Sequence, residues 1–327
     1  MKQLQLMGIG NALVDLEYRV TEQELTSFGV TKGAMTLTDP ARQHELLTAL
    51  ADRDGHRSSG GSAANSVIAF AQFGGKGAFS SLLGNDAYGT FYADEFHELG
   101  IHLQASSIPG ESTGTCVVMI TPDSERTLNT TLAVNQNYGP GHVDEEVIRA
   151  SEWLYIEGYK LTDDAGAEAV DRAAFYARKH GTYIAVSCSD RFVVDVFGHH
   201  LNSILKHTDL VFCNEVEGQA LAQEESLDDA HAALRSRFRN VVLTMGDRGS
   251  HIAWNGHEVE VPAYPIVPVD ATGAGDMFAG AFLYGVIHRH HPEHAGRLAS
   301  YAAAQVVAQY GARLKTNHIS VRDSVLP

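Results

Sequence analysis

Trp153-Leu154-Tyr155-Ile156, Tyr183-Ile184-Ala185-Val186-Ser187, Leu210-Val211-Phe212-Cys213 and Asn240-Val241-Val242-Leu243-Thr244 are short apolar runs of strand length. Segments with helical patterning separate them, at 165–180, near 192–204 and at 228–237. Strands alternating with helices of this length predict a parallel sheet covered by helices on both faces, with right-handed connections. Ligands of such sheets gather at the carboxyl ends of the strands, and two of those ends are polar here. Asn214 and Glu217 follow the third run, three residues apart, and share a face if a helix starts there. Their amide and carboxylate oxygens suit Mg²⁺ through its water shell. Thr244-Met245-Gly246-Asp247-Arg248-Gly249 closes the fourth run in a turn whose two glycines admit a nucleotide phosphate.

Downstream, Val269-Asp270-Ala271-Thr272-Gly273-Ala274-Gly275-Asp276 runs into an apolar helix predicted over 277–287. A glycine-rich turn opening a helix offers unpaired amides and the positive end of the helix dipole, which together suit a phosphate. Asp276 at that helix start would repel the phosphate unless it had a task. Accepting the proton of a hydroxyl that attacks a phosphoryl group is such a task; serving as a helix cap is the plainer one. A closing helix over 295–310 carries Ala302, Ala303 and Ala304, against which a flat ligand or a neighbouring helix can pack. The group His288, His290, His291 and His294 lies beside Pro292, where a helix should end, and reads as a solvated loop rather than a metal site.

Upstream, the run 4–9 ends in Gly10-Asn11-Ala12-Leu13-Val14-Asp15. It begins like a dinucleotide fingerprint, but the third glycine would fall at Leu13 and no helix pattern follows, so a Rossmann site is rejected. Two readings remain: a strand end presenting Asn11 and Asp15 to a polar ligand, or a turn using them for backbone bonds. Ser58-Ser59-Gly60-Gly61-Ser62-Ala63-Ala64-Asn65 leads into an apolar helix over 66–73. Its glycines bring a helix start close to a ligand or simply cap a buried helix, with Asn65 on the same side. Gly74-Gly75-Lys76-Gly77 is not a Walker loop, and no His-Arg-Asp catalytic loop occurs. Strands are predicted at 16–20 and 34–38 about a short polar helix, a helix at 41–51, and a hairpin from 114–121 and 128–134. The hairpin turn carries Asp123, Ser124, Glu125 and Arg126; Arg126 is either a solvated turn residue or an arginine held over a phosphate.

A chain of 327 residues with net charge −16 can bury a full core and lacks the basic face of a nucleic-acid binder. No apolar run approaches membrane length and no signal peptide opens the chain, so a cytoplasmic protein is expected. Cys116, Cys188 and Cys213 are odd in number and form no C-x-x-C pair, as buried thiols in a reducing compartment do.

With these residues in place, the chain resembles the ribokinase-like (PfkB) family of carbohydrate and nucleoside kinases, in its adenosine-kinase-like branch. Residues 60–65 match the family's first signature and 270–276 its second, with Ala271 where the family usually has Thr. The resemblance implies a three-layer αβα sandwich with a mostly parallel central sheet and a small β-sheet lid. The large domain would comprise 1–13, 41–101 and 136–327, and the lid 14–40 and 102–135. Asp276 resembles the catalytic base, Gly273, Ala274 and Gly275 the anion hole, and Arg126 a lid arginine near the transferring phosphate. Asn11, Asp15, Gly60, Gly61, Ser62 and Asn65 resemble sugar-hydroxyl contacts, and Leu13 would line a base pocket. Asn214 and Glu217 resemble the element that organises water around Mg²⁺. Thr244, Gly246, Gly249, Thr272 and Ala303 fall on the nucleotide side, with Asn214. The family often uses a monovalent cation such as K⁺, and Asp270 and Thr272 sit where part of that site falls. The implied reaction is phosphoryl transfer from ATP to a primary hydroxyl of adenosine, with another purine nucleoside second and ribose, fructose or 2-keto-3-deoxygluconate third. A non-catalytic binding protein on the same scaffold is the minor alternative. Neither nucleic acid nor membrane is an expected partner, and both monomer and homodimer fit.

Overall fold

The structure, a computed structural model, describes residues 2–123 and 125–327; Ser124 of the expected hairpin turn lies outside them, as does Met1. β1 (Leu4–Ile9) leads into β2 (Leu13–Arg19), α1 (Glu22–Ser27), β3 (Met35–Leu37), α2 (Pro40–Ala49) and β4 (His56–Gly60). Next come α3 (Ser62–Gln72), β5 (Gly77–Gly84), α4 (Ala87–Glu98), β6 (His102–Ile108) and the hairpin β7 (Gly114–Ile120) and β8 (Arg126–Thr131). The alternating region holds α5 (Glu145–Ala150), β9 (Ser151–Glu157), α6 (Asp164–His180), β10 (Tyr183–Ser187), α7 (Arg191–Val196) and α8 (Gly198–Leu205). It continues through β11 (Leu210–Asn214), α9 (Glu215–Ala222), α10 (Leu227–Arg237) and β12 (Asn240–Thr244). A second hairpin, β13 (Ser250–Trp254) and β14 (His257–Val261), precedes α11 (Ala274–Ile287), α12 (Pro292–Val307) and α13 (His318–Val325).

Nine strands form the large sheet, in the order β14-β13-β12-β11-β10-β9-β1-β5-β6. The strands from β12 to β6 are parallel, and the β13–β14 hairpin closes the other edge antiparallel. Alternate residues of each central strand enter different cores, as the period of two requires. Leu6, Tyr155, Ala185 and Val242 join one core with Phe70, Phe278 and Phe282 of α3 and α11. Met7, Leu154, Ile184 and Val241 join the other with Val170 and Ala173 of α6. That is the three-layer arrangement. α11 is buried along its whole length from Met277 to Ile287, which explains why its sequence is apolar on every face.

The second, five-stranded sheet has the order β3-β8-β7-β2-β4. Two strands sit on the opposite side of the expected division. β6, placed with 102–135 in the small unit, pairs in parallel with β5 as the edge of the large sheet. β4, placed with 41–101 in the large unit, pairs antiparallel with β2. Both exchanges come from long-range pairing, which local pattern does not encode. The single helix expected near 192–204 is two, α7 and α8, broken at Phe197. Pro292 begins α12 with His291 as its N-cap, so His294 is helical and only the histidines from 288 to 291 form a turn.

Candidate functional site

Two helices without side-chain N-caps meet at one carboxylate. α3 is capped by Gly61 at φ 103° and α11 by Gly273 at φ 74°, backbone conformations that favour glycine. A Cβ on Gly61 would lie 2.0 Å from the Asn11 carbonyl oxygen, so the turn also needs the space. Ser62 Oγ donates to Asp276 Oδ1 at 2.7 Å and Asn65 Nδ2 donates to Oδ2 at 3.1 Å. Burial pushes the Asp276 carboxyl up to about 6, against those two hydrogen bonds. The first turn of α11 thus presents its amides beside a carboxylate that burial raises above the usual carboxylate range. Ala274 N–H closes a turn on the Ala271 carbonyl at 3.2 Å, whereas a Cβ on Gly275 would meet nothing within 4 Å.

A cavity of about 210 Å³ opens in front of these groups. Its lining brings together Ser62, Gly273, Gly275 and Asp276 with Asn214, Glu217 and Thr244. Gly246, Gly249, Thr272 and Ala303 do not line it. Ser187, Ser189 and Phe212 do, and sequence reasoning missed all three. A groove of about 770 Å³ between α4 and β6 contains none of the expected site residues and lies apart from this constellation. Asn214 and Glu217 cap α9 reciprocally: Asn214 N–H and Nδ2 donate to the two Glu217 oxygens at 3.0 and 2.7 Å, and Glu217 N–H donates to Asn214 Oδ1 at 2.9 Å. Burial raises the Glu217 carboxyl to about 7, offset by the Asn214 amide. No group of three or more His, Cys, Asp or Glu placed to hold a metal occurs among the described residues.

Asn11, Leu13, Asp15, Gly60, Gly61, Asn65 and Arg126 do not line that cavity either; Asp15 projects from β2 against Gly60, where a Cβ would lie 2.3 Å from its Oδ2. Burial raises its carboxyl to about 7, while the charges of Arg126 and Arg313 pull it down. Cross-strand partners share a sheet face. One row on the Asp15 face runs Ser58, Asp15, Cys116, Thr130, Leu37, and the next His56, Glu17, Val118, Leu128, Met35. Leu13 lies on the same face of β2. Met35 and Leu37 are 49% and 59% exposed on the edge strand β3, three strands across from Asp15, whereas Cys116, Val118 and Thr130 between them are buried.

Arg126 is not a solvated turn residue. It opens β8, buried, and donates to Asp270 Oδ2 and Glu17 Oε1, each at 2.7 Å. Asp270 also accepts from Gly311 N–H at 3.0 Å and Thr272 N–H at 2.9 Å. Its oxygens are engaged by the chain itself, with a guanidinium as counter-charge, and do not fit a potassium ion in this arrangement. Asn11 is buried: its N–H donates to Glu157 Oε1 at 2.7 Å and its Oδ1 accepts from Lys160 Nζ at 3.1 Å. Glu157 Oε2 accepts from Ala63 N–H at 2.7 Å, so one carboxylate ties the end of β1 to the start of α3. Burial raises Glu157 to about 7 and lowers Lys160 to about 8. Sequence reasoning missed this pair. Its signal was a charged residue ending an apolar strand run at the ligand-bearing edge of the sheet.

A family model described as pfkB family carbohydrate kinase matches residues 23–319. The fold is shared with a probable sugar kinase from Rhizobium etli CFN 42, at TM-score 0.91 and 30% identity over 99% of each chain. It is shared equally with adenosine kinase from Sinorhizobium meliloti, at TM-score 0.90 and 29% identity, covering 98% of this chain and 99% of that one. In sequence the chain is 24% identical to an adenosine kinase of Saccharomyces cerevisiae over 96% of its own length and 98% of the relative's.

Proposed function

The chain belongs to the pfkB family of carbohydrate kinases, phosphotransferases with an alcohol acceptor, and from that premise we propose that it transfers the γ-phosphate of ATP to the 5′-hydroxyl of a nucleoside, adenosine before other purine nucleosides. What supports the nucleoside reading is the apolar surface of Met35 and Leu37, exposed on the edge strand of the small sheet, on the face that also carries Leu13 and Asp15. A free sugar would leave that face in water, whereas a purine ring would cover it.

In this reading Asp15 accepts hydroxyls of the ribose, and Gly60 and Gly61 let the ring approach the backbone. Asp276 takes the proton of the primary hydroxyl as its oxygen attacks in line, and a carboxyl near 6 is mostly ionised at neutral pH. The first-turn amides of α11 hold the developing negative charge. Arg126, fixed by Glu17 and Asp270, adds positive charge on the acceptor side. The nucleotide lies toward Thr244, Gly246, Gly249, Thr272 and Ala303, and the five-stranded sheet serves as a lid that excludes water. A hydrated Mg²⁺ fits beside Glu217: its carboxylate is buried, raised, and offset only by hydrogen bonding, so a divalent charge would satisfy it. When bound, that ion would neutralise phosphate charge.

The similarity to a probable sugar kinase supports a second reading, with a free sugar as acceptor. Coupled ATP consumption with Mg²⁺ against adenosine, inosine, guanosine, cytidine, ribose, fructose and 2-keto-3-deoxygluconate separates the two. Turnover with adenosine well above every sugar is the expected result. Turnover with a free sugar alone would overturn the nucleoside reading and leave the role of Asp276 standing.

A further inference from the structure

We infer that the short segment Gly311-Ala312-Arg313, after α12, is a positioning strap that ties the two signature turns of the site together. This rests on the kinase reading above and deepens it. Three contacts from consecutive residues carry it. Gly311 N–H donates to Asp270 Oδ2 at 3.0 Å. Ala312 packs so closely on Gly273 that a Cβ there would lie 2.3 Å from the Ala312 Cβ. Arg313 reaches the other turn, donating to Glu95 of α4 and to the backbone and side-chain oxygens of Ser59, the last at 2.7 Å.

Ser59 is held from both sides. Its carbonyl accepts from Arg313 and its N–H donates to Glu95 Oε2 at 2.8 Å, while Glu95 and Arg313 are themselves an ion pair. Ser59 directly precedes Gly60 and Gly61, the turn that delivers Ser62 and Asn65 to Asp276. The strap's other end grips Asp270 and Gly273, the turn that delivers Asp276 itself. The donors on the catalytic carboxylate and the carboxylate therefore arrive from two elements, and these three residues set their spacing. An arginine suits the Ser59 end because its planar fork serves the carboxylate and the carbonyl at once. Lysine cannot hold both in one geometry.

The test compares wild type with Arg313→Met and Arg313→Lys. A positioning role predicts an acceptor kcat/KM lower by about ten- to a hundredfold in Arg313→Met, the scale of a lost charged hydrogen bond, with KM for ATP within about twofold and the Lys variant intermediate. A second variant, Glu95→Gln, removes the ion pair but keeps an acceptor for Ser59 N–H, and should show a smaller loss of the same kind. Amide hydrogen exchange, read without any substrate, should rise together at 59–65 and 270–276 in Arg313→Met. Unchanged exchange in either segment, or equal losses toward ATP and acceptor, would overturn the strap. A wild type that phosphorylates nothing would overturn the kinase reading, and the exchange experiment would still decide the strap.

Discussion

Asp276 lines the cavity and Asp15 sits beside the Gly60 turn; both carry carboxyls raised by burial, to about 6 and about 7, yet their surroundings differ in kind. Asp276 is steadied by neutral donors, Ser62 and Asn65, at the start of a helix. Asp15 is steadied by charges, Arg126 first and Arg313 after it, with Glu17 and Asp276 opposing them. Neutral donors can release a carboxylate as it takes up a proton. At Asp15 the guanidinium charges of Arg126 and Arg313 offset burial only in part, and its carboxyl stays raised to about 7. The difference fits the division of labour proposed for them, in which Asp276 moves a proton and Asp15 holds the substrate.

The strongest way to break that division is Asp276→Asn, which keeps shape and removes the base. A fall in kcat of about 10²- to 10⁴-fold is expected, with nucleotide affinity nearly unchanged, in steady-state assays and nucleotide titration. Asp15→Asn should act mainly through the acceptor, raising its KM by about ten- to a hundredfold while kcat at saturation falls far less. The pH dependence sharpens the contrast. A base must be ionised, so kcat/KM should drop about tenfold per pH unit below the Asp276 value near 6. Ser62→Ala removes a hydrogen bond that lowers this pKa, and should move the acid limb to higher pH. The smallest effect belongs to the apolar face. Leu37→Ser should raise KM for adenosine by about three- to tenfold, roughly one side chain's hydrophobic contact, and leave turnover of ribose unaltered if ribose is a poor substrate at all.

Much of this was legible in the chain, for physical reasons that can be named. The regular alternation from 153 to 244 announces a parallel sheet, because each buried strand must be apolar on both faces. The turn at 270–276 reads as a candidate phosphate site, because glycines before an apolar helix leave amides and space. Partnerships across long sequence separations were not legible. Glu157 joins β1 to α3, Lys160 reaches Asn11, and Arg126 bridges Glu17 and Asp270; none of these follows from local spacing. The exchange of β4 and β6 between sheets has the same origin. β5 escaped notice because Gly77-Ala78-Phe79-Ser80-Ser81 mixes small and polar residues, although the strand is buried throughout. Its serines are satisfied inside, Ser80 by Tyr138 and Ser81 by Asn135 and the Gly10 carbonyl.

Single-turnover phosphoryl transfer by Asp276→Asn and Asp15→Asn, side by side with nucleotide and acceptor both saturating, tests the division of labour most directly. The account predicts that saturation brings Asp15→Asn to within about tenfold of wild type and leaves Asp276→Asn slower by at least about a hundredfold. Equal rates for the two variants, or recovery of Asp276→Asn on saturation, would contradict it.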